Sequence, residues 1–168
     1  RLWSDTVDRG TAGELVVGGL PASTIVQQCG SPVYVIDEVD FRGRALSWKK
    51  AFEGWNVYYA GKSFLCSTIA RWVAEEGLSL DASSHGELVV ALRAGFDPGR
   101  IALHGNNKST EELRFALEAG VGRIVVDSSD EITRLERLTA ELGTTARVLI
   151  RVTTGVEAHT HEYIATAH

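Results

Sequence analysis

The chain has 168 residues, 44% hydrophobic and 23% charged, with 17 basic against 22 acidic side chains and a formal net charge of −5. That length suits one domain able to bury roughly 70% of its unfolded-chain surface, and the mild, interspersed acidity argues against a nucleic-acid surface or a polybasic membrane contact. No apolar run approaches the ~18 residues a membrane span needs, no basic segment followed by an apolar stretch opens the chain, and Cys29 and Cys66 lie far apart with no metal or redox spacing, which favours reduced thiols in the cytoplasm.

Residues 13–37, "GELVVGGLPASTIVQQCGSPVYVID", hold two short β-like runs and a "GSP" turn. The second run, "PVYVID", reads as a strand able to pair outside the repeats that follow, with a second domain. "EVDFRGRALSWKKAFEG" reads as an amphipathic helix carrying Phe41, Leu46, Trp48 and Phe52. Residues 1–54 therefore form an N-terminal extension, and residues 55–168 a repetitive region.

Five β-favouring runs follow: "NVYYA" from 56, "LSLDA" from 78, "RIALH" from 100, "RIVVD" from 123 and "RVLIRV" from 147, with starts 22, 22, 23 and 24 residues apart. Between them lie segments with helical spacing. "STIARWVAEEG" puts Ile69, Trp72 and Val73 on one face, and "SHGELVVALRAG" puts Leu88, Val89 and Leu92 together. "STEELRFALEAG" opens on Ser109 or Thr110 as N-cap and stacks Leu113, Leu117 and Phe115 or Ala116 inward. "SSDEITRLERLTAELG" repeats Ile132, Leu135, Leu138 and Leu142. Gly77, Gly95, Gly120 and Gly143 each follow a helix, where a left-handed residue ends it without a Cβ clash.

Strands apolar on both faces that alternate with helices belong to a parallel sheet covered by helices. Even spacing without a GxGxxG first turn favours a (β/α) barrel over a doubly wound sheet. A TIM barrel needs eight units, and five are visible.

In such barrels the ligand site lies at the carboxyl ends of the strands. Those ends carry Lys62; Asp81 with Ser83, Ser84 and His85; His104 with Asn106, Asn107 and Lys108; Asp127 with Ser128; and Arg151 with Thr153 and Thr154. They are expected to converge on one mouth. Lys62 is either a snorkelling surface lysine or, if desolvated, an amine of lowered pKa able to condense with a carbonyl. Asp81 and Asp127 suit helix caps as well as ligand contacts, with capping the stronger reading for Asp127. "HGNNKS" is either an Asn-stabilised turn or a polar cofactor loop. Arg151 ends a strand rich in Val, Leu and Ile, so it requires an anionic or polar partner. A metal reading would draw on His159, His161 and Glu162 of "EAHTHEY", with His104. No HExxH or cysteine pair supports it.

"YAGKSFLC", "LSLDASSHGELVVALRAGF", "RIALHGNNKS", "AGVGRIVVDSSDEI" and "VLIRVTTGVEAHTHEYIATAH" together resemble, in order and spacing, the N-terminal part of the diaminopimelate decarboxylases, especially the actinobacterial kind. The resemblance runs from about residue 31 to the end. It implies the α/β barrel of the alanine-racemase and ornithine-decarboxylase fold, followed by a β-domain, a pyridoxal 5′-phosphate cofactor, and usually a homodimer. Lys62 matches the lysine that carries the cofactor. Asp81 and Glu87 match the acidic pair of the D-x-x-S-x-x-E stretch beside it, and Arg151 the strand-end arginine near its phenolic oxygen. His104 and Asn106 fall in the HGNNK loop.

The implied reaction converts meso-diaminopimelate, an amino-acid substrate, to lysine and CO2. Ser63 stands where alanine is common, and His85 where glycine is common. The later strands, a glycine-rich phosphate loop, a glutamate for the pyridine nitrogen and a C-terminal cysteine motif are not matched, so the expectation is an N-terminal portion inactive alone. A non-catalytic half-barrel assembly module, or an ornithine or arginine decarboxylase, are the competing readings.

Overall fold

A computed structural model describes residues 3–152. The chain divides into two compact units, one of residues 1–57 with 75–78, the other of 58–74 with 79–168.

The first unit opens on an antiparallel meander of β1 (Asp8–Arg9), β2 (Leu15–Val17) and β3 (Leu20–Pro21). Val17 pairs with Leu20 across Gly18 and Gly19, whose φ values of 57° and 81° are the positive pair that a two-residue type I′ hairpin turn demands. Helix α1 (Ala22–Cys29) follows where only β-like runs and a turn are legible in the sequence. The "PVYVID" segment joins no ladder among the described residues, and Tyr34 is fully exposed.

Helix α2 (Glu38–Ala51) is capped by Asp37, whose side chain accepts the Asp40 N–H, and it places Glu38 and Asp40 in its first turn and Lys49 and Lys50 in its last, the arrangement its dipole favours. The same Asp37 carboxylate accepts the hydroxyls of Thr6 and Ser4, and Thr6 Oγ1 takes the Gly18 N–H, so one carboxylate ties the hairpin to the helix start. Its pKa is lowered from the ordinary aspartate value, chiefly by the Thr6 hydroxyl. Among the described residues of α2 only Ala45 is buried; Trp48 and Phe52 stack on each other at 5.7 Å in the exposed layer rather than forming the inward face that the sequence suggests.

The second unit is a parallel sheet in sequential order: β4 (Tyr58–Ala60), β5 (Ser79–Ala82), β6 (Ile101–Leu103), β7 (Arg123–Val126) and β8 (Val148–Ile150). The connecting helices are α3 (Ser67–Glu75), α4 (His85–Arg93), α5 (Thr110–Ala119) and α6 (Ser129–Leu142). This is the α/β wall expected of a (β/α) barrel, with five staves described. Leu80, Ile101, Leu103, Ile124 and Val126 are fully buried together with the helix residues Ile69, Val73, Leu88, Leu113, Leu135 and Leu138. Each such side chain contributes about 1.5–3 kcal/mol of burial.

Successive strand residues point to opposite faces. The register Ala60↔Asp81↔Ala102↔Arg123 therefore lays Asp81 and Arg123 on one face of the sheet. Across that face Arg123 donates to the Tyr58 hydroxyl at 3.0 Å.

Three of the helices begin alike. Ser84, Ser109 and Ser128 are N-caps whose hydroxyls accept the N–H of Glu87, Glu112 and Glu131, three residues on. Asp81 and Asp127, which suit caps by composition, are not caps, because a serine stands directly before each helix and takes that role.

Candidate active site

The polar strand ends lie in the second unit. Lys62 sits in a 3-10 turn, Gly61–Ser63, directly after β4. It is exposed among the described residues, where β4 pairs with β5 alone. Its amine makes no hydrogen bond or ion pair among the described residues.

The turn is pressed against the βα repeat that follows it. A methyl group on Gly61 would lie 3.0 Å from the Asp81 carbonyl oxygen and 3.1 Å from Glu87 Oε2. Glu87 in turn accepts the Ser83 N–H at 2.8 Å. Lys62 is thus carried on a backbone fixed by the two acidic residues that the family resemblance places beside it.

Asp81, on β5, has His104 Nδ1 3.4 Å from its Oδ1, and that oxygen is buried with no hydrogen-bond partner among the described residues. The His104 N–H donates to Ala82 O at 2.7 Å, which carries the β5–β6 ladder one step past Leu103. Asn106 is exposed on the loop that follows. Arg151, just beyond β8, finds the anionic partner its setting requires: Nη1 lies 3.3 Å from Asp127 Oδ2. Around the rim the structure joins the Lys62 turn to Asp81 and Glu87, Asp81 to His104, and Asp127 to Arg151.

Two features differ from the sequence reading. Lys108, grouped there with the mouth residues, is 2% exposed and pairs with Glu131, 1% exposed, at 2.8 Å. Glu131 escapes that reading; the signal that could have found it is the repeated S-x-x-E at 84–87, 109–112 and 128–131. His85, a residue of unusual bulk for its place in the resemblance, packs against Phe115 of α5 with ring centroids 4.7 Å apart. Thr153, Thr154, His159, His161 and Glu162 lie outside the described residues, and among the described ones no cluster of three His, Cys, Asp or Glu side chains could hold a metal. No helix among them is long and apolar enough to cross a membrane.

The chain is 53% identical over 168 residues to the diaminopimelate decarboxylase of Mycobacterium tuberculosis (strain ATCC 25618 / H37Rv), a match covering 99% of this chain and 38% of that protein. It resembles the crystal structure of diaminopimelate decarboxylase from M. jannaschii in co-complex with L-lysine, with a TM-score of 0.82 and 29% identity over 97% of this chain and 39% of that one. The Helicobacter pylori enzyme complexed with L-lysine matches with a TM-score of 0.79 and 33% identity, over 86% of this chain and 37% of that one. The chain therefore spans about 38% of the length of such curated relatives. The family described as "Pyridoxal-dependent decarboxylase, pyridoxal binding domain" matches residues 38–168, and the chain belongs to that family.

Proposed function

We propose that this chain supplies part of the cofactor-binding barrel of a carboxy-lyase that releases CO2 from meso-diaminopimelate to give L-lysine. The observation that carries the proposal is the Lys62 turn, seated against the Asp81 carbonyl and the Glu87 carboxylate at the strand ends. The residues present fit pyridoxal phosphate. They offer a solvent-accessible amine, a buried carboxylate oxygen still lacking a donor, an imidazole and a guanidinium along one rim.

In this reading Lys62 would hold the cofactor through its amine, which makes no hydrogen bond or ion pair among the described residues. Asp81, Glu87, His104, Asn106 and Arg151 would hold the group, with Arg151 supplying positive charge for its oxygens. When bound, pyridoxal phosphate supplies the sink for the electron pair left as the carboxyl group departs. The protein residues bind and orient. Glu87 fixes the backbone before α4 through the Ser83 N–H and abuts Gly61, and so sets where Lys62 starts. Asp127 neutralises Arg151 until an anionic ligand competes for it.

The choice of diaminopimelate over other amino acids rests on the 53% identity with proteins of that activity. Residues 1–54 are assigned as an extension leading into the barrel. A homodimer follows from the family resemblance, and a cytoplasmic setting suits the free thiols of Cys29 and Cys66.

The test is CO2 release from meso-diaminopimelate by the complete protein with pyridoxal phosphate. Lys62→Ala is expected to lower the rate by at least about 100-fold, the lower end for losing a group that acts on the reacting centre. Full activity in that variant, or release from ornithine or arginine instead, would refute the assignment of site or substrate respectively.

A further inference from the structure

Lys108 has three N–H donors and no acceptor, and the structure turns them inward, away from the rim. Nζ donates to Gly105 O and to Val125 O at 2.7 Å, and it lies 2.8 Å from Glu131 Oε1 as an ion pair; that oxygen is buried and accepts no hydrogen bond among the described residues. With its side chain 3% exposed, the amine is enclosed by these partners and is closed to a ligand. Arg134 Nη1 donates to the Lys108 carbonyl at 2.7 Å, so the backbone of the residue is held as well.

What this pair grips is the loop that carries His104. Gly105 has φ +115°, and a Cβ there would lie 3.2 Å from Ser83 O and 3.4 Å from Lys108 Cγ. The loop is therefore wedged between the end of β5 and the lysine stem, and only glycine suits it. Its leading end is pinned by the His104 N–H on Ala82 O. Held at both ends, the loop brings His104 Nδ1 to 3.4 Å from Asp81 Oδ1, a buried oxygen with no hydrogen-bond partner among the described residues.

A buried ion pair is weak evidence for stability, since desolvation offsets most of the attraction. Position is what this one secures. We propose that Lys108 and Glu131 are positioning residues, a buried pair behind the rim that presents His104 to Asp81 through Nδ1–H and so leaves Nε2 as an acceptor for a ligand at the strand ends. The inference rests on the proposed function for the location of the site, but the arrangement it describes exists without cofactor.

The test is the imidazole ¹⁵N spectrum of His104 in the complete protein without pyridoxal phosphate, assigned by the signal missing in His104→Gln. The wild type is expected to show the Nδ1–H tautomer, and Asp81→Asn to lose it. K108M combined with E131M replaces the pair with apolar side chains and avoids stranding a buried charge. It is expected to keep the circular dichroism of the wild type while His104 reverts to the Nε2–H pattern of an unrestrained histidine. A merely structural pair would leave the histidine signal untouched. A double variant that retains the wild-type pattern, or a wild type without the Nδ1–H form, overturns the proposal; neither result bears on whether Lys62 carries the cofactor.

Discussion

Gly61→Ala tests how Lys62 is held. The position is buried and lies between β4 and the lysine. The added methyl carbon would sit 3.0 Å from the Asp81 carbonyl oxygen and 3.1 Å from Glu87 Oε2, where a carbon–oxygen contact is ordinarily ~3.3–3.6 Å. Glu87 can rotate only by giving up the Ser83 N–H. The Asp81 carbonyl belongs to the β5 backbone and is paired in register with Ala60, so it yields only if the two strands part. Inserting a methyl group into such a contact costs about 1–3 kcal/mol, which for a protein of this size lowers the melting temperature by about 2–4 °C per kcal/mol. Thermal unfolding followed by circular dichroism reads the cost. The same displacement shifts the Lys62 backbone, so cofactor affinity, read by visible absorbance, is expected to fall in parallel. A variant that melts with the wild type and binds pyridoxal phosphate equally well would show that the close approach of the two strand ends does not set the lysine.

Lys108→Met leaves the Glu131 charge buried without its partner and is expected to destabilise by about 3–5 kcal/mol in denaturant unfolding; a loss below ~1 kcal/mol would mean that water reaches the pair. Ser84→Ala, Ser109→Ala and Ser128→Ala each remove an N-cap and are expected to cost about 1 kcal/mol in the same measurement. Asp37→Ala is expected to cost a similar amount above the ordinary aspartate range. Because folding lowers the pKa of Asp37, its contribution is present above the unfolded-state value and disappears as pH falls through the lower folded value. The stability difference between wild type and Asp37→Ala should therefore shrink with acidification, and a difference that grows instead would contradict the Thr6 contact as its cause.

The barrel wall is legible in the sequence because its signal is local and repeated. Strands at 22- to 24-residue intervals, apolar on both faces, and a glycine after each helix specify the alternation without knowledge of tertiary contacts. Gly77, Gly95, Gly120 and Gly143 all take positive φ, between 60° and 82°. The strand ends are likewise nameable as a group, since topology alone brings them to one rim.

Features that depend on packing are not readable in the same way. Helix α1 hides in "ASTIVQQC", where the β-branched Thr24, Ile25 and Val26 mimic a strand. In α6 the sequence favours Ile132 as an inward residue, yet it is 46% exposed while Glu131 is buried, because Glu131 at the third helical position faces Lys108 behind the strand ends. No pattern of apolar residues announces a charge that is inside because another charge meets it.

The central claim is that Lys62 is the amine that takes up the cofactor. Borohydride reduction of the complete protein after addition of pyridoxal phosphate, followed by peptide mapping, tests it most directly. The account predicts a single reduced adduct on the peptide containing "YAGKSF". An adduct on Lys108, Lys49 or any other lysine, or the absence of one, would contradict it.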